Sequence, residues 1–448
     1  MEAEGAGAIR PVRLRADWVV PVEGEPVRDA AVLLDMDGRI AALGPSSQVP
    51  TPDSAETRDL AGTILLPGLV NTHTHLELTG FAETASGLDF RQWILSIRRL
   101  KLARTPEQYL EAVRQGIRDC WAGGVTTVAD TGDSGAVVLA LSELGGSGIV
   151  YHEVFGPHPE QLEASFAEFT GRFAELVGAV RGRIRLGVSP HAPYTVSGPL
   201  YSRVSAWARE RELPMAVHIS ESKAEQEFVS RGTGPFAEAW SARGIPLLHD
   251  PAQRPTGSPA HWPTGSPAHR PTGSPAHWPS AIAWLDAHGV LGDRTLCIHA
   301  IQLDEADIRL LADRGAAVAH CPVSNAAHGH GTSPVARLRA AGVRVGLGTD
   351  SVASVGPLDL WREMRAAQSL AGLSDRDAVA LATLESARAL GLEREIGSIR
   401  PGKWGDLVAV RASDGSAADP IGTLLRANPS DVLLTLLGGV IVHRPPPA

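Results

Sequence analysis

The chain has 448 residues, 43% hydrophobic and 20% charged, so it can bury a large core and is long enough for two structural units. Its formal net charge of -9 argues against a general nucleic-acid-binding surface, because binding to phosphates needs clustered positive charge. Three scattered cysteines, Cys120, Cys297 and Cys321, disfavour a disulfide framework and fit a reducing compartment.

Membrane and export signals are missing from the sequence pattern. No apolar stretch reaches the length of a membrane span, and Met1 to Gly5 lack the basic start and apolar core of a secretory signal. We therefore expect a cytoplasmic protein that acts on a small molecule, without nucleic-acid or membrane partners. We also expect a homo-oligomer, with a dimer as the simplest form.

Short apolar runs alternate with turn residues in both terminal segments, 1–66 and 393–448, which is typical of strands and hairpins. We predict that these two segments together build one small β-sandwich domain. Its predicted strands lie at 13–20, 30–35, 40–45, 396–399, 406–410, 432–436 and 440–442.

Residues 67–392 alternate apolar, strand-like runs with longer helical patterns. Eight such runs separated by helices predict an α/β fold, a (β/α)8 barrel of the TIM type. In barrels of this type the chemistry takes place at the carboxyl ends of the strands. The first run ends at His75, and the other seven lie at 125–130, 148–154, 184–190, 214–219, 295–299, 316–320 and 343–350.

One segment, 254–279, departs from this plan because it repeats an octad, Arg-Pro-Thr-Gly-Ser-Pro-Ala-His, with arginine or tryptophan in first place. Two prolines and a glycine in every eight residues exclude a helix or a central strand, so we expect an exposed, extended loop. We interpret the insertion as a tandem duplication tolerated at the surface, because long surface loops are accommodated at little cost.

Two histidines end the first predicted barrel strand. Side chains at positions i and i+2 of a strand point to the same side, so the imidazoles of His73 and His75 can face one ion. Alone, the pair is weak evidence, because histidine is also an ordinary surface residue. Further ligand-type residues end three other predicted strands, namely His218, His299 and Asp350. Such a set suits zinc or iron better than calcium or magnesium, which prefer oxygen ligands.

The candidate catalytic residues lie next to these ligands. Glu221 follows His218 by three residues and can reach a bound substrate as a proton shuttle, although it can equally cap the helix that begins there. Asp350 can bind the metal and accept a proton from water, and His299 can orient or deprotonate that water instead of coordinating. Because a metal ion lowers the pKa of its water from about 15.7 to roughly 7, the set predicts a hydrolase.

These residues resemble the amidohydrolase superfamily, and within it the aminohydrolases that use one metal ion. The resemblance covers nearly the whole chain outside the octads, and it rests on 67–75, 189–195, 218–221, His299, 320–325 and 348–351. It implies that one divalent ion, zinc or iron, is held by His73, His75, His218 and Asp350. It also implies that Glu221 and His299 transfer protons and that His191 helps to bind substrate.

Other branches of this superfamily bind two metals bridged by a carboxylated lysine at the end of the fourth strand. The predicted fourth strand here, 184–190, contains no lysine. The resemblance therefore implies a mononuclear site, which is enough for deamination.

The substrate is indicated by a second, shorter resemblance. Leu76-Glu77-Leu78 and the run from Phe90 to Ile94 resemble deaminases of 6-aminodeoxyfutalosine, an adenine-bearing intermediate of menaquinone synthesis. Trp93 can stack on a purine, Arg91 can pair with a substrate carboxylate, and Ser351 lies beside a metal ligand. For each of these, ordinary helix packing or exposure to solvent is the alternative.

Other activities stay open at this point. Deaminases of S-adenosylhomocysteine and 5'-methylthioadenosine, guanine- or cytosine-type deaminases, and chlorohydrolases share the same metal ligands. A non-catalytic binding protein is the last alternative, but such relics usually lack a ligand, and this sequence has each of the expected six.

Overall fold

The computed structural model describes residues 10–81, 90–254, 278–412 and 419–446, without the side chains of Phe90 and Arg91. By their internal contacts the residues form two compact units. The first comprises 1–72, 115–128 and 358–448, and the second comprises 73–114 and 129–357.

Fifteen strands occur in the described residues. They are β1 Val12–Val19, β2 Val27–Leu34, β3 Ile40–Pro45, β4 Glu56–Pro67, β5 Leu69–Thr74, β6 Val125–Gly132, β7 Ser147–Val154, β8 Arg183–Pro190, β9 Met215–Ile219, β10 Thr295–His299, β11 Ala317–His320, β12 Arg344–Leu347, β13 Leu407–Arg411, β14 Val432–Leu437 and β15 Val440–His443. They form one seven-stranded and one eight-stranded sheet.

The seven-stranded sheet lies in the first unit and has the order β15-β14-β13-β4-β1-β2-β3. Its neighbouring strands are antiparallel, except that β1 and β4 run parallel. Apolar side chains on one face, such as Leu14, Val32, Leu65 and Leu407, form a buried core. The two terminal segments of the chain therefore share one sheet.

The eight-stranded sheet has the order β12-β11-β10-β9-β8-β7-β6-β5, so strands that follow one another in sequence are neighbours. Its two edges meet where Thr74 forms a parallel bridge with Asp350. There the amides of Thr349 and Asp350 both donate to the carbonyl oxygen of His73, at 3.0 Å. The sheet is a nearly closed barrel, and the predicted TIM-type fold with a separate β unit is confirmed.

Helices follow the barrel strands in the described residues. They are α1 Phe90–Ala103, α2 Pro106–Ala122, α3 Ala136–Leu144, α4 Leu162–Ala179, α5 Gly198–Glu210, α6 Lys223–Arg231, α7 Pro235–Ser241, α8 Ala281–Ala287, α9 Glu305–Arg314, α10 Pro322–Ala327, α11 Val335–Ala340, α12 Val352–Val355, α13 Leu360–Ala371, α14 Asp375–Leu381, α15 Leu384–Ala389 and α16 Pro420–Arg426. Of the helices that are described, none has both the length and the apolar character needed to cross a membrane.

Two details of the predicted strands are corrected by the structure. The apolar run that leads to His75 is two strands, since β4 ends at Pro67 and β5 begins at Leu69. Gly68 lies between the two strands, and there is no room for a side chain at this position, because a Cβ would lie 2.2 Å from Thr126 Oγ1. The predicted strand at 396–399 is wrong, because Gly397 has a φ of 87°, outside the extended region, and the chain bends there.

Two other predictions remain as they were. Residues 255–277 of the octad insertion lie outside the described part of the chain. The domain bounds predicted from the sequence, 1–66, 67–392 and 393–448, also stay a prediction. The two compact units are groups of residues with many mutual contacts, and such a division does not test where a domain begins or ends along the chain.

Candidate metal centre and active site

Three imidazoles meet at the carboxyl ends of two barrel strands. His73 lies in β5, His75 follows that strand directly, and His218 lies in β9. One ligand nitrogen from each histidine lies within 4.8 Å of the others, and the Nε2 atoms of His75 and His218 are 3.3 Å apart. The structure therefore brings together the three histidines that the sequence indicated as metal ligands.

Asp350 faces the same point from the other edge of the barrel sheet. Its Oδ1 lies 3.6 Å from Nε2 of His73 and 3.6 Å from Nε2 of His75. Its Oδ2 accepts a hydrogen bond of 2.5 Å from Ser324 Oγ. Burial alone would raise the pKa of Asp350, but the adjacent His73 and His75 hold it well below its usual value. Asp350 is therefore a carboxylate that offers one oxygen to the imidazoles.

These residues fit a divalent transition-metal ion. The Nδ1 of His75 lies 2.9 Å from the carbonyl oxygen of Thr131, which can only accept, so Nε2 presents a lone pair. Burial lowers the pKa of His73 to about 4 and that of His218 well below its usual value, so both are neutral, as metal ligands must be. The separations of 3.3 and 3.6 Å match the roughly 3.4 Å between ligands of a tetrahedral ion with bonds of about 2.1 Å.

Two other groups of described residues have ligand atoms at a similar spacing. One joins Glu153 and His191 to His218, and the other joins Glu153 to Glu77 and Asp133. In the second group a cation is already present, because Lys101 Nζ lies 2.5 Å from Glu77 Oε1 and 2.6 Å from Asp133 Oδ1. In the first group, burial raises the pKa of Glu153 to about 8, and a carboxyl group that keeps its proton is a poor metal ligand. The three histidines with Asp350 are therefore the better metal site.

Glu221 and His299 form a pair beside this site. The Nε2 of His299 is 3.6 Å from Glu221 Oε1, and its Nδ1 is 2.9 Å from Asn325 Oδ1. An amide oxygen only accepts, so the proton of His299 is on Nδ1 and Nε2 can take up another. Burial alone would raise the pKa of Glu221, but His299 and His330 lower it below its usual value. A carboxylate and an accepting imidazole therefore lie side by side, as acid–base catalysis requires.

The turn that carries Glu221 is held by a second, buried carboxyl group. Ser220 has a left-handed φ of 52°, and the amides of Ser220 and Glu221 donate to the two oxygens of Glu225, at 2.8 and 2.9 Å. Ser222 is the cap of α6, since its side chain accepts a hydrogen bond from the Glu225 amide. The carboxylate of Glu221 is thus not used as a helix cap and is available to a substrate.

Four residues of the site were not assigned from the sequence. Ser324 and Asn325 lie in a recognised motif, but their bonds to Asp350 and His299 depend on the folded barrel. For Glu225, the sequence feature that could have suggested a role in the site is its position as a second acid four residues after Glu221. For His330, the corresponding feature is its position in a histidine- and glycine-rich stretch after β11.

His191, a predicted substrate ligand, lies at the end of β8 next to the metal site. Its ring centroid is 4.8 Å from that of His218 and 5.0 Å from that of Phe155, which is an exposed aromatic side chain after β7. Its Nδ1 is 2.9 Å from Thr195 Oγ1. The imidazole therefore lies between the candidate metal ligands and an open aromatic face.

For the other predicted substrate-binding residues, Trp93, Ser351 and Arg91, the structure gives less direct support. Trp93 is half-buried, its Nε1 donates to the Ala353 carbonyl at 3.4 Å, and its ring lies edge-on to His328. Ser351 is buried and caps α12 through a hydrogen bond from the Ser354 amide. The side chain of Arg91 lies outside the described part of the chain. The structure therefore gives Trp93 and Ser351 packing and capping contacts.

A buried acid, Glu153, should make stability depend on pH. Burial raises its pKa to about 8, although Lys101 opposes this, so the folded state keeps its proton between pH 4.5 and about 8 whereas the unfolded state loses it. Stability from this group therefore falls as pH rises through that window. We expect Glu153→Gln to gain stability relative to wild type with rising pH, by on the order of 5 kcal/mol in all. Urea unfolding of the metal-free proteins across this range measures the gain, and a pH-independent difference would refute it.

A glycine next to His73 permits the close approach of two strands. A Cβ on Gly348 would lie 2.8 Å from the Cβ of His73 and 2.9 Å from Cys321 Sγ. We expect Gly348→Ala to lower the free energy of unfolding by about 1–3 kcal/mol and to weaken metal binding by displacing His73. Denaturation and metal titration measure these effects. Gly292→Ala is the control, since its added methyl meets only Thr295 Oγ1, at 4.0 Å, and equal effects in both variants would count against this account.

Comparisons with known proteins agree with this geometry. The model of the amidohydrolase family matches residues 64–442. A 5-methylthioadenosine/S-adenosylhomocysteine deaminase of Symbiobacterium thermophilum is 30% identical over 442 residues, which cover 95% of this chain and 92% of that protein. The chain therefore belongs to the amidohydrolase family, and the predicted superfamily and the prediction of an enzyme are confirmed.

Solved structures of similar fold include two deaminases. An adenosine deaminase from Xanthomonas campestris with bound zinc is 26% identical with a TM-score of 0.78, covering 96% of this chain and 92% of that one. An aminofutalosine deaminase of Helicobacter pylori, in complex with methylthio-coformycin, also has a TM-score of 0.78, covering 96% of this chain and 99% of that one. At 22% identity the second likeness shows the fold alone.

Proposed function

We propose that this chain is a metal-dependent hydrolytic deaminase that releases the exocyclic amine of an adenine nucleoside as ammonia. The observation that carries the proposal is the Glu221–His299 pair beside three histidines and a carboxylate at metal-ligand spacing. Family membership supports it, as do the names of a relative and a structural neighbour, a 5-methylthioadenosine/S-adenosylhomocysteine deaminase and an adenosine deaminase.

In this proposal His73, His75, His218 and Asp350 hold one divalent ion. When bound, the ion would act as a Lewis acid and would lower the pKa of water enough for the water to react near neutral pH. Zinc is the first candidate, because a nitrogen-rich tetrahedral set suits zinc and the Xanthomonas campestris structure contains it. Iron is the alternative, since imidazole and carboxylate also bind iron. Turnover of metal-free protein after reconstitution with either ion decides between them.

Three side chains then move the protons. Glu221, which starts as a carboxylate, takes one proton from the attacking water and passes it to the ring nitrogen beside the carbon that bears the amine, so that negative charge does not build up there. His299, through Nε2, and Asp350 take up the second proton of that water. The carboxylic acid of Asp350 then gives this proton to the departing nitrogen, which leaves as ammonia. Transfers of this kind are each worth about 10²–10⁴ in rate.

The first substrate candidate is 6-aminodeoxyfutalosine, an intermediate of menaquinone synthesis. Its support is the sequence resemblance in Leu76-Glu77-Leu78 and in 90–94. The structure weakens part of that support, because Glu77 is buried and ion-paired with Lys101. A role for Glu77 in holding the fold accounts for that part of the motif.

The second substrate candidate is a 5'-thio-substituted adenosine, 5'-methylthioadenosine or S-adenosylhomocysteine. The Symbiobacterium thermophilum relative, which bears the names of these substrates, matches 95% of the chain. Both candidates share the adenine ring and differ in the group on the 5' carbon, so the reaction at the metal centre is the same.

Ultraviolet difference spectroscopy tests the proposal, because loss of the exocyclic amine changes the purine chromophore. The metal-loaded protein is offered 6-aminodeoxyfutalosine, 5'-methylthioadenosine, S-adenosylhomocysteine and adenosine, with ammonia measured in parallel. We expect at least one to be converted with one ammonia released per nucleoside. Conversion of none of them, with hydrolysis of a chlorinated or amide substrate instead, would replace the proposal by another activity of the same family.

A further inference from the structure

His330 contacts the same oxygen of Glu221 as His299. The Nε2 of His330 is 3.4 Å from Glu221 Oε1, and the Nε2 of His299 is 3.6 Å from it. All three side chains are buried. One carboxylate oxygen is therefore flanked by two imidazoles.

The two imidazoles cannot play the same part. His299 carries its proton on Nδ1, which donates to Asn325 Oδ1, so its Nε2 presents a lone pair to the carboxylate. A lone pair does not bind a carboxylate oxygen, which needs a donor. In its neutral form His299 offers no N–H to Oε1 of Glu221, so His330, whose Nε2 is 3.4 Å from that oxygen, is the available donor of the two.

The main chain around His330 is fixed to the same turn. Its amide donates to the Asn325 carbonyl at 2.9 Å, and its carbonyl accepts from Gln302 Nε2 at 2.7 Å. The amide of Gln302 in turn donates to the carbonyl of Ser220, at 2.8 Å. Gln302 thus links the loop that carries His330 to the turn that carries Glu221.

We propose that His330 is a positioning residue for Glu221: its Nε2–H donates to Oε1 and keeps Oε2 directed at the ring nitrogen of the substrate. This inference rests on the proposed deaminase function. It also explains how His299 Nε2 stays free for the proton of water, because His330 meets the hydrogen-bonding need of Oε1.

Steady-state kinetics of two variants test this role. We expect His330→Ala to lower kcat about 10- to 100-fold, the effect of losing a hydrogen bond to a charged group, with KM and metal content unchanged. His330→Gln keeps an N–H donor and should recover most of kcat. His158→Ala is the control for removing a histidine from the same unit. Equal losses in the Ala and Gln variants, or an effect on KM alone, would overturn the proposal.

A spectroscopic test does not depend on activity. In the metal-loaded full chain labelled with 15N-histidine, the ring signals that vanish in His330→Gln belong to His330. We expect them to show the tautomer with the proton on Nε2, and to shift in Glu221→Gln. The tautomer with the proton on Nδ1 would overturn the inference. If the wild-type protein converts no nucleoside, the proposed function fails, yet this spectrum still decides the contact between His330 and Glu221.

Discussion

Glu221→Gln is expected to lower kcat by about 10²–10⁴ while the protein keeps its metal and its fold. Glutamine has nearly the same shape as glutamate but cannot carry a proton between water and the substrate ring. Because the amides of Ser220 and Glu221 are held by Glu225, the turn should keep its geometry in the variant. Stopped-flow and steady-state assays on the same nucleoside measure the loss.

The control for this variant lies six residues further along the chain. Glu227 is an exposed acid on α6, and Glu227→Gln removes the same charge without touching Glu221 or its partners. We expect it to leave kcat unchanged. A Glu221→Gln enzyme that works at the wild-type rate would remove the carboxylate from the proposed chemistry.

His75→Ala is expected to abolish stable metal binding and, with it, turnover. The loss should exceed the roughly 10–100-fold that follows when only a partner of a metal ligand is removed, because a direct ligand is deleted. The side chain is well defined for this test, since Thr131 fixes which of its nitrogens faces the site. Metal content after dialysis, measured by mass spectrometry, gives the result.

This variant also separates the competing clusters. Glu153, His191 and His218 form a group with metal-like spacing that does not contain His75. If His75→Ala retains one ion and Glu153→Ala loses it, the ion is bound by that group. His443→Ala, in β15 of the first unit, is the control for a histidine without a place in either group.

The residues that form the candidate metal site could be predicted from the sequence because their signals are local. His73, His218, His299 and Asp350 each end, or closely follow, a short apolar run, and in a parallel barrel such ends gather on one face. The barrel strands were predictable for the same reason. The run at 396–399 has a similar apolar pattern, but the positive φ of Gly397 makes it a bend, and periodicity does not distinguish the two.

The partners that orient these ligands could not be predicted in the same way. Asn325 holds His299, and Ser324 holds Asp350, in each case across 26 residues of sequence. His330 and Glu221 are farther apart still, and they meet only because β9, β10 and β11 are neighbours in the sheet. Such contacts depend on the register of the strands and on the path of the loops. Neither can be predicted from the pattern of residues in one short stretch of sequence.

Anomalous X-ray diffraction at the zinc edge, from crystals of the zinc-loaded protein, tests the central claim most directly. The account predicts one strong peak bounded by Nε2 of His73, His75 and His218 and by Oδ1 of Asp350. A peak beside Glu153 and His191 instead, or no peak at saturating zinc, would contradict it.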